Sequence, residues 1–175
     1  MSKRVTRNQL PLAQLLSLAA LTAMGSAQAQ SSVQAYGLID VSAGQFQDAG
    51  GTKDKSVASG KMSTSYFGFK GTEDLGSGLK ANFAIESFLR ADSGSAGRFN
   101  GDAFWARNAY VGLAGGFGSL NLGRNTTSLF VSTLIFNAFG DSFGYSPSIR
   151  HYFTSGTVTG DTGWNQSLSY TTPNM

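Results

Sequence analysis

There is no cysteine in this sequence, so neither disulfides nor thiolate metal sites enter any account of how it holds together. Charged side chains make up only 13% of it, too sparse for the clustered basic face that nucleic acid would require. Histidine occurs once, as His151, and one imidazole with no recognisable partner founds neither a metal site nor a catalytic pair. The one long apolar stretch, 10–24, is interrupted by Gln14 and Ser17 and falls short of the ~20 residues that a membrane-crossing helix needs. Proline is also scarce, with three residues, while glycine is plentiful at 23 and aromatics reach 12%. That balance suits many strands and tight turns better than helices.

The first 29 residues read as a secretory signal peptide. Lys3, Arg4 and Arg7 precede the apolar stretch, which is followed by the small-residue site Ala27-Gln28-Ala29. This three-part order predicts cleavage after Ala29 and a mature chain that starts at Gln30. Three of the 13 basic residues leave with the signal, whereas all ten acidic residues lie beyond it, so the mature chain is neutral. The basic character of the whole sequence therefore carries no information about nucleic acid or a polybasic membrane patch.

The mature part alternates with period two, the mark of strands that have one apolar and one polar side. In 33–43, Val33, Ala35, Ile39, Val41 and Ala43 share one face, and Gln34, Tyr36, Asp40 and Ser42 the other. A polar, glycine-bearing stretch, 45–61, then reads as a loop. A second strand, 65–72, places Phe67 and Phe69 together and runs into the turn Glu73–Gly78. Its partner sets Leu79, Ala81, Phe83, Ile85 and Leu89 against Lys80, Asn82 and Glu86, with Ala84 and Phe88 breaking the pattern on the polar side. After a polar loop, 90–101, the segments 104–113 and 119–124 make another hairpin around Gly115-Gly116-Phe117-Gly118. There the parity is imperfect, because Arg107 shares a face with Ala109, Val111 and Leu113, and Arg124 with Leu120 and Leu122. A bulge near Gly112 or Gly123, or an inverted inside-outside assignment, would account for it. A long segment, 126–161, mixes apolar residues with few charges, and 164–172 alternates again.

Six strands thus appear, with short turns after the second and fourth and longer connections after the first, third and fifth. A transmembrane β-barrel has that asymmetry, with strands apolar towards lipid and polar towards the lumen. In a soluble sandwich the apolar face would be core, and nothing would force one end to carry every long loop. Alternation alone makes Lys80, Asn82 and Glu86 lumen candidates. Two other classes stay open: an exported soluble or surface-attached β-rich binding protein, and an outer-membrane barrel enzyme.

No Gly-x-Ser-x-Gly elbow accompanies His151. Glu73 and Asp74 are adjacent, so in a strand they point to opposite faces and cannot work as an acid/base pair. The glycine-rich turn 115–118 lacks a phosphate-loop lysine and a dinucleotide fingerprint. The sequon Asn125-Thr126-Thr127 is uninformative in an exported bacterial chain. Neither a cofactor nor a catalytic residue is expected.

Specific words in the chain resemble a known family. Tyr36–Asp40, the continuous run Phe67–Ala81, and Arg107–Leu113 followed by Phe117-Gly118 and Leu122-Gly123-Arg124 are similar to the general porins of β-proteobacteria, as is Asn165–Tyr170. The resemblance implies the first six or so strands of an all-β, antiparallel, sixteen-stranded transmembrane barrel in the bacterial outer membrane. It further implies a homotrimer that passes ions and small hydrophilic solutes. Its third external loop, here 126–161, would fold into the lumen opposite a ladder of wall arginines. Matched residue by residue, those are Arg107 and Arg124, with Lys80 a weaker candidate and Asp141 the loop's acidic contribution. Two departures matter. Tyr66 stands where the family often has arginine, and the loop is poor in carboxylates, which weakens the transverse field expected of a constriction. Six strands, moreover, cannot close a barrel without leaving unpaired backbone in hydrocarbon, so residues 30–175 read as the N-terminal portion of a longer protein.

N-terminal sequencing of the membrane-bound form is expected to begin at Gln30; exported material that retains Met1 would refute the signal-peptide reading.

Overall fold

A computed structural model describes residues 31–47, 50–153 and 161–173; the signal segment, with Ala27, Ala29 and Gln30, lies outside them. The alternating segments pair into one twisted antiparallel sheet. Its order is β1 (Ser32–Leu38), β4 (Tyr66–Gly76), β5 (Leu79–Arg90), β7 (Asn108–Gly115), β8 (Gly118–Thr126) and β9 (Gly163–Thr171), with the short β6 (Ser95–Ala96) beside β5. A separate hairpin joins β2 (Val41–Phe46) to β3 (Asp54–Ser59). Two helices, α1 (Ser128–Ile135) and α2 (Pro147–Phe153), interrupt the connection between β8 and β9.

The pairing register sorts the side chains into two faces, because directly opposed residues point the same way. One row runs Val33, Gly71, Phe83, Val111, Leu122, Leu168, and a second runs Ala35, Phe69, Ile85, Ala109. Apart from Phe67, whose ring meets those of Phe104 and Trp105, much of this face is open: Val111 is 61%, Leu122 51% and Leu168 63% exposed. A continuous apolar band of that extent is stable only against hydrocarbon or another apolar surface. The opposite face carries Gln34, Tyr36, Lys70, Thr72, Lys80, Asn82, Glu86, Asn108 and Asn121. Sorted this way, Leu79, Ala81, Phe83 and Ile85 fall on the apolar side of the β5 alternation and Lys80, Asn82 and Glu86 on the polar side.

Three features depart from expectation. The first strand does not run unbroken to Ala43. At Asp40 the backbone leaves β4, because the Asp40 amide donates to Ser65 Oγ (2.9 Å) and its carbonyl accepts from Gly60 N (3.1 Å). The chain beyond that point folds into the β2–β3 hairpin, so the stretch read as a loop contains a strand. The parity conflict on the second hairpin is resolved at Arg107, whereas Arg124 stays opposite Ala109 beside an irregularity in the next ladder. β7 starts at Asn108, leaving Arg107 before the strand and free of its alternation. In the β8–β9 ladder the register shifts between Gly123 and Asn125, where Gly123 adopts φ +136°.

The long segment is helical in part, and each of its helices starts at a hydroxyl cap. Thr127 stands at the N-cap of α1 and its Oγ1 accepts from Phe130 N (3.1 Å). Ser146 plays the same role for α2, accepting from Ile149 N (3.2 Å), with Pro147 at the first helical position. A capping hydroxyl satisfies an otherwise orphaned amide, and proline there forfeits no hydrogen bond. Phe130 stacks edge-on against Phe153 at 5.2 Å, and Ile149 is fully buried.

A Cβ at Gly123 would strike the Ala109 carbonyl oxygen, in a backbone conformation hostile to L side chains. Gly123→Ala is therefore expected to destabilise the folded barrel by about 1–3 kcal/mol, measured as a lower urea midpoint in detergent or lipid vesicles. An unchanged midpoint would remove the bulge as a constraint.

Candidate functional site

The polar face gathers around one buried carboxylate. Glu86, 3% exposed, accepts from the Arg107 guanidinium at 2.5 Å, from Asn108 Nδ2 at 2.5 Å and from the Tyr36 hydroxyl. Tyr36 sits two strands away and reaches Glu86 across Gly68, which pairs with both. A Cβ on Gly68 would lie 2.8 Å from Glu86 Cγ, so the glycine keeps this passage open. The Arg107 guanidinium also lies over the Tyr66 ring, 3.9 Å from its centroid, and Tyr66 meets Tyr36 edge-on at 6.1 Å. Charge-assisted bonds of this kind offset the desolvation of Glu86; deleting Arg107 alone would leave the carboxylate uncompensated, at about 3–5 kcal/mol.

Over this face lies the helical connection between β8 and β9. Asp141 Oδ1 accepts from Ser63 Oγ (2.5 Å), while Ser142 Oγ and Gly144 N both donate to the Lys61 carbonyl (2.7 and 3.2 Å). The 61–63 turn is itself held by the Asp40 carboxylate, which accepts from Met62 N (2.6 Å) and Ser63 N (2.8 Å). Asp40, read from sequence as one more polar strand residue, is thus the anchor of a chain of contacts that ends at Asp141. A small hollow of about 80 Å³ remains between this segment and the sheet, bordered by Arg107, Asp141, Phe88, Phe130 and Phe143.

The sequence-derived site residues fall into three places. Arg107, Glu86 and Asp141 lie together, Arg107 and Asp141 lining the same hollow. Arg124 lies apart from it at the strand end, where its guanidinium donates to Ala106 O (2.5 Å), Gly163 O (2.9 Å) and Asn165 Oδ1 (2.8 Å), with Asp161 3.4 Å away. Lys80 is exposed at the turn end, paired in register with Asp74 and Ala114. His151 belongs to α2 and its ring meets that of Tyr152 at 5.3 Å. Among the described residues no group of three or more metal-ligating side chains occurs.

Sequence reasoning passed over Tyr36, Asn108, Ser63 and Tyr66 as members of this site. Tyr36 and Asn108 were discoverable in principle as polar-face residues facing Glu86 in register; Ser63 was not, since only the fold brings it to Asp141.

The sequence profile of the Gram-negative porins matches residues 16–175. The chain belongs to this porin family. It is 38% identical, over 92% of its length, to outer membrane porin protein 32 of Delftia acidovorans, and 34% identical, over 69%, to an outer membrane porin protein of Bordetella pertussis. Its backbone superposes on the anion-selective porin from Comamonas acidovorans with a TM-score of 0.68 at 31% identity, over 83% of this chain. The porin chain spans 46%, 34% and 44% of those three proteins, about half their length or less. Its antiparallel sheet is accordingly part of a porin β-barrel.

In the connection between β5 and β7, which lies outside the sheet, Asp102 has its own arginine: Arg98 Nε and Nη2 donate to its two oxygens at 2.9 and 3.0 Å. Burial pushes the Asp102 carboxyl up, but the hydrogen bonds from Arg98 and its charge together outweigh this and hold it below the ordinary 3.8. A depressed folded value means stability that is present above the unfolded value and lost as pH falls through the folded one. Amide exchange at Arg98, whose N–H also donates to Asp102 (3.0 Å), is thus expected to accelerate as pH falls below 3.8. Asp102→Asn should abolish that transition; a transition that persists would assign it to another group.

Proposed function

We propose that the protein acts in the bacterial outer membrane as a porin, a water-filled channel for passive diffusion of ions and small hydrophilic solutes, assembled as a homotrimer in its full-length form. The observation that carries this reading is the division of the sheet into an exposed apolar face and a polar face across which the capped helical connection lies. A channel makes and breaks no covalent bonds, and the clustered polar groups serve as fixed charges along a water path rather than as acid/base machinery. The fuller segment, 126–161, folds inward as the constriction, narrowed between Asp141 on one side and Arg107 with Glu86 on the other. Arg124 at one rim and Lys80 at the opposite mouth add positive charge to the path. No cofactor takes part, and the N-terminal 29 residues serve for export.

Near low-dielectric walls an ion feels each fixed charge strongly. Because Glu86 and Asp141 compensate Arg107, selectivity is set by a near-balance that single substitutions tip. In planar bilayers, Arg107→Gln should shift the permeability ratio towards cations severalfold, Glu86→Gln should shift it towards anions, and removal of 137–146 should raise single-channel conductance. Wild-type values for all three variants would place the segment outside the lumen, and protein extractable without detergent would favour a soluble binding module instead.

A further inference from the structure

The connection that lies over the polar face leaves the sheet after Thr126 and rejoins it at Gly163, and its two ends are bonded to each other at the root. Thr127 N donates to the Thr162 carbonyl (3.0 Å) and Thr127 Oγ1 to that of Asp161 (3.2 Å). Thr127 is 1% and Thr162 6% exposed, so this neck is packed as well as bonded. Two side chains hold it from elsewhere in the fold. Arg98, in the connection between β5 and β7, donates from Nη1 to Thr162 Oγ1 at 3.3 Å. Asn108, at the start of β7, accepts at Oδ1 from both the amide (3.1 Å) and the hydroxyl (3.0 Å) of Thr126, while its Nδ2 donates to Glu86 Oε2 at 2.5 Å.

Those contacts leave Asn108 one orientation. With its oxygen committed to two donors on Thr126, its amino group must face Glu86, and an amide is the side chain that accepts on one side while donating on the other. An aspartate there would set carboxylate against carboxylate, and an apolar residue would leave the Thr126 amide without its partner. We propose that Asn108 is a positioning residue of the constriction, relaying the buried Glu86 carboxylate to the root of the connection between β8 and β9 and so fixing where that connection lies over the polar face. The geometry gives the relay leverage. Thr126, Thr127 and Thr162 form one bonded unit, α1 starts directly from it, and the middle of the connection is moored on the 61–63 turn through Asp141 and Gly144. A displaced root therefore pulls on the mooring. Glu86 serves two purposes, orienting Arg107 with Oε1 and the connection with Oε2. The relay stands on these contacts; its consequence for the width of a water path rests on the channel reading.

Amide exchange in the folded, detergent-solubilised full-length protein is the test. Asn108→Asp sets a second carboxylate against Glu86 and is expected to accelerate exchange by about tenfold at Thr126, and severalfold at Gly144 on the distant mooring. Combining it with Glu86→Gln keeps the number of charges and exchanges donor with acceptor, since the new amide can donate to the new carboxylate, which still accepts from Thr126. This swap should return both amides to near wild-type rates, a rescue that a residue merely filling space would not show. Should Asn108→Asp fail to refold, Thr126→Val, which keeps the shape and removes one donor to Asn108, is expected to accelerate exchange at Gly144 severalfold. Unchanged exchange at Gly144 in whichever of these single variants folds, or a swap as fast as Asn108→Asp, would overturn the relay. In planar bilayers Asn108→Asp should raise open-channel current noise severalfold and the swap should quieten it. Exchange and conductance separate the two ideas: rescue by the swap in a protein that does not conduct ends the channel reading alone, and a conducting channel in which Asn108→Asp leaves exchange and noise at wild-type values ends the relay alone.

Discussion

Glu86 is the one group on which the polar face depends. A carboxylate this deeply buried is tolerable only while its partners remain in place, and those partners come from β1, from β7 and from the residue just before β7. The same three bonds that satisfy its charge therefore clamp four neighbouring strands into one register, with Gly68 as the gap that lets Tyr36 reach across. Arg107 is oriented twice over, by Glu86 at its tip and by the Tyr66 ring beneath it. Held at both places, this arginine does not swing freely.

The rest of the sheet follows from its contact with two solvents. Leu122 and Leu168 are exposed on the apolar side, and Lys70 and Lys80 stand on the polar one, the division expected of a strand between hydrocarbon and water. What would be a folding fault in a soluble sandwich, a bare apolar face, is in keeping with a sheet of a porin β-barrel. The connection between β8 and β9 has a different logic. It carries its own small core of Phe130, Phe153 and Ile149, its own caps, and a fixed mooring on the 61–63 turn, so it behaves as a packed lid on the polar face rather than as a loop.

Much of this was legible in the order of the residues. Period-two alternation disclosed the six strands of the main sheet, and in the second hairpin it even registered a fault, because Arg107 and Arg124 could not share a face with leucines in an unbroken ladder. The fault coincides with a late strand start at one arginine and with a register shift in the next ladder beside the other. Alternation could not reveal that the strand from Val33 stops at Asp40, since Val41 and Ala43 keep the same rhythm while pairing with a different partner. Nor could it reveal α1 and α2: Thr127 and the Ser146-Pro147 pair are good caps, but they were hidden within a stretch whose length alone attracted attention. Contacts such as Ser63 with Asp141 join residues far apart in sequence and become visible only once the chain is folded.

The lengths of the connections also impose an order of assembly. The links between β4 and β5 and between β7 and β8 are only two residues long, so these hairpins close almost without entropic resistance and can zip from their turns. β9 must wait for the ends of a far longer connection to meet, and although each doubling of a flexible loop adds only ~0.6 kcal/mol, such distant pairings are slow to find. Packing of α1 against α2, where Phe130 meets Phe153, would shorten that search if it forms early. On this view loosening the core of α1 and α2 would be felt first in the time the barrel takes to form.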